Sequence, residues 1–391
     1  MQATNSHPPS RDSKWQLWAK ENLFSNTINS VLTVLTGLLI IWVVSSLGIW
    51  AFTQAKWNVI PANFRILMTG SFPTEQLWRT WTALIVVCAA SGLHWGSLSK
   101  GAKLPIWSYI FGAVIVLFTA ITQAGHPSGI LVPAAVVAVF AGYFIGQIAI
   151  PSRIMNFAWV VIFFATVLLF TIDFGTGAVQ TKEWGGLLLT LMLSIVGIVA
   201  SFPLGVALAI GRTSNYPIIS AICTVFIEVV RGTPLVVVFF IAQLFVPLLL
   251  GGANIDPVAR AMVGITIFSA AYLAENVRGG LQSVPQGQIE AARAVGLTGT
   301  QTLILIVLPQ ALKAVLPALV GQFIGLFKDT SLVYIIGLKE LAGISDSIRS
   351  NPDFIGTAKE LYFTISIIYF IFSYAMSSGA RSLEKQLNTN R

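Results

Sequence analysis

Six long stretches of this chain lack a single Asp, Glu, Lys or Arg: Ile28 to Phe52, Thr80 to Ser99, Leu104 to Gly125, Gly129 to Ser152, Ile154 to Ile172 and Gly185 to Gly211. Continuous apolar runs of about 18 residues or more read as membrane-crossing helices, because about 20 residues of helix match the hydrocarbon thickness. Composition agrees. Of 391 residues, 55% are hydrophobic and only 10% charged, against roughly 25% charged in a soluble domain. Too little polar surface is left to cover a water-soluble globule of this size. The expected fold is therefore all-α and polytopic.

The net charge is +8, from 23 Lys and Arg against 15 Asp and Glu. Its placement excludes a nucleic-acid reading, because the basic residues sit mainly in short loops, where they set orientation. With the N-terminus and its Arg11, Lys14 and Lys20 inside, strict alternation returns the chain to Lys100 and Lys103, then Arg153, then Arg212 on that same side. The segment "ENVRGGLQSVPQGQIEAARAVG" and the tail "RSLEKQLNTNR" fall inside as well, and "KELAGISDSIRSNPDFIGTAKE" outside. About ten spans result, with both termini cytoplasmic. The first run has no small-residue cleavage site behind it and is expected to stay as a span. Cys88 and Cys223 are far apart and His7, His94 and His126 are scattered, so neither a disulfide framework nor a metal site is expected.

The two halves differ. Before residue 184 the spans carry Gly and Ala but little polar chemistry, with one small-xxx-small packing pattern in "GYFIG" (Gly142 to Gly146). Later spans carry Glu228, Arg231, Glu275, Arg278, Lys328 and Asp329. The expected organisation is a cytoplasmic segment 1–27, an accessory membrane region 28–180 and a working core 181–391, the last interrupted by a cytoplasmic loop at about 284–309.

That loop is unusual. From Gln288 to Val295 the residues are good helix formers, and Gly296 is a natural stop. Glu290 and Arg293 are three apart and can pair on one face. Ala291, Ala294 and Val295 make a smooth, small-residue face. Two turns of helix are not stable alone in water and need a partner surface. Either the helix lies in a groove of another protein, as docked helices do, or it is a connector resting on the bilayer. Pro309 is expected to break the backbone where the chain re-enters the membrane.

The stretch "EAARAVGLTGTQTLILIVLP" resembles the EAA loop of ABC importer permeases: Glu290, Ala291, Ala292 and Arg293, then Gly296, then Ile306, Leu308 and Pro309 at the loop's spacing. "RGTPLVVVFF", "AAYLAENVRGGLQSVPQGQ", "LPQALKAVLPAL" and "KDTSLVYIIG" look like the permeases of polar amino-acid importers of the histidine, glutamate and aspartate type. The likeness covers roughly Gly185 to Leu383. The first 180 residues do not match the usual core but are similar to the longer permease of general L-amino-acid importers.

The resemblance implies a type I ABC importer permease core of five spans behind an N-terminal multi-span extension, in a bacterial inner membrane. It implies a second homologous permease, two copies of a cytoplasmic ABC ATPase that bind ATP and Mg, and a periplasmic amino-acid-binding protein. The EAA loop would couple to the ATPase, and the chain itself would carry no cofactor and catalyse nothing. The residues agree on one point, since no G-x-x-x-x-G-K-[ST] phosphate loop is present.

Charges at membrane depth need a reason, at about 2.5–3.5 kcal/mol each on insertion scales. Glu228 with Arg231, and Glu275 with Arg278, are spaced to neutralise one another along a helix face. Lys328 and Asp329 are adjacent and face different directions. With Thr330 and Ser331 they supply the cation, anion and hydroxyls that an amino-acid zwitterion needs; Gln243, Gln322 and Glu275 are further candidates for the substrate pathway. Packing against the partner permease is the competing role. An ion-coupled secondary transporter is the alternative function, but would ask for inverted repeats with broken helices in both halves. A non-transporting scaffold would not need charged core spans.

Overall fold

A computed structural model describes residues 14–99, 104, 106–122, 127–149, 151–175, 177–252 and 254–389. Arg11, Lys100, Lys103, His7 and His126, used above for topology and ligand arguments, lie outside them. The described residues are helical, and their one strand-like pairing is an isolated bridge between Gly186 and Glu340. They form two compact units that divide between Trp57 and Asn58. Residues 58–180 thus share a compact unit with the core.

The first unit holds α1 (Lys14–Asn22) and the apolar α2 (Thr27–Ile49), which ends in a π turn, Trp50–Gln54. Asn26 starts α2 by accepting the Asn29 N–H on its side chain at 2.8 Å, satisfying one of the helix's orphan donors.

The second unit begins with two short helices, α3 (Val59–Ala62) and α4 (Phe64–Thr69), followed by α5 (Leu77–Leu98), α6 (Ile106–Thr122), α7 (Ser128–Ala149) and α8 (Ser152–Thr171). The core comprises α9 (Gly186–Arg212), α10 (Pro217–Gly232), α11 (Leu235–Phe240), α12 (Val246–Leu249), α13 (Pro257–Ser283), α14 (Gln286–Ala294), α15 (Gly299–Thr302), α16 (Leu308–Asp329), α17 (Leu341–Arg349) and α18 (Ala358–Thr389). Among the described residues, seven helical segments are long and apolar enough to cross a membrane, and the pair α10 and α11–α12, bent by 105°, makes an eighth if taken as one span. α6 and α8 are apolar over shorter lengths. Counted with these two, the helices agree with an expectation of about ten.

The bend falls at Thr233-Pro234. Proline disfavours helical geometry in the residue before it, and Thr233 is extended at φ −101°, ψ 130°. At Pro309 the expectation of a break is not met. One helical run continues from Gly299 to Ile336, and a π turn at Leu303–Val307 precedes the proline. An extra residue in that turn accommodates the ring and its missing N–H without interrupting the helix.

α5 and α7 touch backbone to backbone. A Cβ on Gly92 would lie 2.0 Å from the Val139 carbonyl oxygen, and one on Gly146 2.2 Å from that of Leu93. The Gly142-xxx-Gly146 pattern therefore meets a second one, Gly92-xxx-Gly96, on the facing helix. In the core, α9 packs on α13 and α16 through Leu189, Leu193, Ile265, Leu273, Val277 and Leu319.

The N-terminal spans are less anonymous than expected. Arg79, in the first turn of α5, is fully buried. Its guanidinium donates to the Leu169, Ile172 and Gly177 carbonyls at 3.2, 2.8 and 3.0 Å and lies over the rings of Trp78 and Phe174. A cation at the end of α8 complements the helix dipole and its orphan carbonyls.

Candidate functional site

Two features of the core carry chemistry: the short helix α14 with the charged cluster next to it, and the Lys328–Ser331 segment at the far end of α16.

α14 is held between stops. Pro285 precedes it, and Gly296 ends it at φ 87°, a left-handed geometry that a side chain at this position would strain. The Gly296 N–H donates to Arg293 O at 2.9 Å and the Leu297 N–H to Ala292 O at 3.1 Å, the paired bonds of a Schellman motif. Thr298 and Gln301 then cap α15 reciprocally. One side of α14 is anchored: Ala292 is buried, and Ile289 packs with Val284, Val307 and Ala311. Glu290, Ala291, Arg293 and Ala294 face outward, and Val295 is 77% exposed. Pro309 is exposed at the start of α16. Among the described residues, Glu290 and Arg293 make no ion pair.

The last turns of α13 lead into α14 through Val284 and Pro285, and they carry Glu275. Its carboxylate is a hub. Oε1 accepts from Arg212 of α9 at 2.7 Å, and Oε2 faces Arg231 of α10 at 3.4 Å and Arg278 at 3.0 Å. Arg212 also pairs with Glu228 of α10 at 2.8 Å. The spacing led us to expect a Glu228–Arg231 pair; instead both side chains reach to other helices, because the bent span brings α10 beside the ends of α9 and α13. Glu275–Arg278 pairs as its spacing suggests. Arg212 was legible only as a loop charge, yet it closes the cluster.

At the other end of the core, Lys328 is exposed, Asp329 and Ser331 are half-buried, and Thr330 is buried with its hydroxyl donating to Phe327 O at 2.7 Å. The two glutamines bind within the chain. Gln322 donates to Ser269 O at 2.8 Å and accepts from Asn276 at 2.7 Å. The Gln243 side-chain amide donates to Pro257 O at 2.6 Å, and the main-chain carbonyl of Gln243 accepts from Arg260. Glu275 belongs to the ionic hub rather than to the Lys328 end. No group of His, Cys, Asp and Glu that could hold a metal occurs among the described residues, and Cys88 and Cys223 are free.

One residue that sequence reasoning missed is Glu340, fully buried between the last two spans. It caps α17, accepting the Ala342 and Gly343 N–H groups at 2.9 Å each, and accepts the Tyr369 hydroxyl of α18 at 3.0 Å. Burial pushes its carboxyl above the ordinary range, opposed by these hydrogen bonds. A loop glutamate carries no sequence signal of such burial.

Residues 201–389 match the family described as binding-protein-dependent transport system inner membrane component. The chain is similar to the inner membrane amino-acid ABC transporter permease protein YhdY of Escherichia coli K12, with 34% identity over 99% of this chain and 98% of the relative. It is similar to the glutamate/glutamine/aspartate/asparagine transport system permease protein BztC of Rhodobacter capsulatus, 33% identical over 95% of this chain and 93% of that one. A solved structure of an amino acid ABC transporter with histidines covers 50% of this chain and 90% of its own, at 32% identity and a TM-score of 0.46. By the two relatives that match along nearly their whole length, the chain belongs to the family of inner-membrane amino-acid ABC transporter permeases.

Proposed function

We propose that this permease works in an ATP-driven importer of polar L-amino acids, forming the pathway with a second permease and taking its energy through α14 from a cytoplasmic ATPase. The observation that carries the reading is the outward face of α14. Small side chains and an exposed valine, on a helix stopped by Gly296 and braced from behind, suit insertion into a groove of another protein. Two copies of the ATPase would hold ATP and Mg, this chain holding no cofactor, and a periplasmic binding protein would deliver substrate. Both termini would then be cytoplasmic and the α17 end periplasmic. The name of the Rhodobacter relative supports acidic and amide side chains as substrates.

The hub gives the coupling a route. α14 is the direct continuation of α13, and Glu275 ties the end of α13 to α9 and to the bent span. Displacement of α14 would thus be shared among three helices rather than absorbed in a loop. For substrate contact we favour Lys328, Asp329 and Ser331 over Thr330 and Gln322, whose side-chain polar groups are already satisfied within the chain, and over Gln243, whose side-chain amide already donates to Pro257 O.

Two experiments test the reading. Glu290→Lys and Val295→Glu should leave membrane insertion intact but lower both the ATPase recovered with the permease and the uptake of labelled glutamate. Unchanged recovery together with unchanged uptake would refute docking through α14. Separately, Asp329→Asn should alter the apparent affinity for glutamate, asparagine or arginine in reconstituted vesicles while basal ATP hydrolysis survives. If all three uptake rates and affinities stay the same, these residues pack against the partner permease and do not contact substrate.

A further inference from the structure

The loop between the first two spans is built into the core. Val59 of α3 and Leu67 of α4 are buried in one cluster with Leu341, Ile344 and Ile348 of α17 and with Leu361 and Ile365 of α18. Positions 341, 344 and 348 form a single helical stripe, so α3 and α4 cover the apolar face of α17. The backbone joins as closely. A Cβ on Gly70 would lie 2.4 Å from Gly185 Cα, and one on Gly186 2.2 Å from Leu67 O. The Gly186 N–H donates to Lys339 O at 2.9 Å, which sets the residue before Glu340 and hence the cap of α17. The polar groups of α3 and α4 bond within the segment: Asn63 donates to Val59 O and Thr69 to Arg65 O. Its apolar side is left for α17.

α17 therefore has little freedom of its own. Its first turn is pinned by Glu340, and its stripe is covered by residues that precede the core in sequence. The residues it leaves at the surface are polar: Ser347 and Arg349 are exposed, and Asp346 pairs with Arg349 and accepts the Tyr334 hydroxyl at 2.7 Å.

We propose that Val59–Gly70 is the cradle of α17, and that through it the N-terminal region sets the surface onto which the periplasmic binding protein releases its substrate. Leu67 is then a positioning residue. It touches no substrate, but it holds α17 in register with α18 and with the bridge at Gly186. The second half of the proposal rests on the importer reading above; the first half stands on packing alone.

Hydrogen exchange and ATP hydrolysis, measured on the assembled permease–ATPase complex in lipid nanodiscs, test the two halves separately. In Leu67→Ala the amides of Leu341–Arg349 should exchange at least tenfold faster, with α13 and α14 unchanged. The concentration of glutamate-loaded cognate binding protein that half-stimulates ATP hydrolysis should rise severalfold, while the unstimulated rate stays the same. Leu67→Met should restore both. Leu67→Val serves as the milder lesion should the alanine variant fail to assemble. Unchanged exchange in α17 would overturn the cradle. Faster exchange with an unchanged half-stimulating concentration would overturn its part in delivery. If the binding protein does not stimulate even the unmodified complex, the importer reading fails instead, and the exchange data alone decide the cradle.

Discussion

Glu275 shows how much one carboxylate can organise. It serves Arg212, Arg231 and Arg278, which come from three helices, and its side chain is 15% exposed. Removing its charge would leave three guanidinium groups with Glu228 as the one carboxylate in the cluster among the described residues. Losing one member of a buried pair costs about 3–5 kcal/mol, and the effect here should fall below that range because Arg231 and Arg278 are about one-third exposed. Glu275→Gln is expected to lower the stability of the purified permease by roughly 2 kcal/mol and to raise ATP hydrolysis relative to amino-acid uptake, since the joint between α13 and the bent span is loosened. A thermal melt together with an uptake-to-hydrolysis ratio checks this; an unchanged ratio would mean that the hub is a passive brace. The sequence places these charges on the later spans and spaces them three apart, but it cannot assign their partners. Spacing of three reports only what a straight helix can do for itself, and the partners here depend on a bend.

At the scale of elements, legibility followed locality. The apolar runs, α14 and its stop at Gly296 were readable because each depends on neighbours in sequence. The Schellman bonds at Gly296 are the physical content of a glycine after a short helix. "GYFIG" marked α7 as a close-packing helix, but its partner pattern, Gly92-xxx-Gly96, carries no hint that the two would meet. Arg79 was missed because it lies one residue before the charge-free run, where α5 had already begun. The break expected at Pro309 became a π turn, while the sharp bend came at Pro234. The two prolines differ in context. Thr233 takes an extended conformation before Pro234, whereas Pro309 follows a widened turn that lets the helix continue.

Across the whole molecule the core is tied at both ends by carboxylates, the half-buried Glu275 near the end of α13 and the fully buried Glu340 at the start of α17, and Glu340 should make stability depend on pH. Glu340 lies outside the membrane spans, and burial holds its carboxyl above the ordinary range despite four hydrogen-bond donors. A carboxyl raised on folding keeps its proton in the native state when the unfolded chain, near the ordinary value of about 4.3, has already lost it. Its contribution to stability is therefore fully present below that value, declines as pH rises, and is gone above the native-state pKa. The slope approaches 1.4 kcal/mol per pH unit for one proton. Glu340→Gln keeps the shape without the titration. The difference in melting temperature, wild type minus variant, should accordingly fall as pH rises from the ordinary glutamate value and then level off. Taking the difference cancels the other carboxylates, including Asp346, whose bonds to Tyr334 and Arg349 hold it low and whose contribution runs the opposite way. A difference that stays flat across that range would show Glu340 ionised throughout, with the Ala342, Gly343, Tyr369 and Thr190 donors outweighing its desolvation. α17 would then be anchored by a charge rather than by a neutral acid.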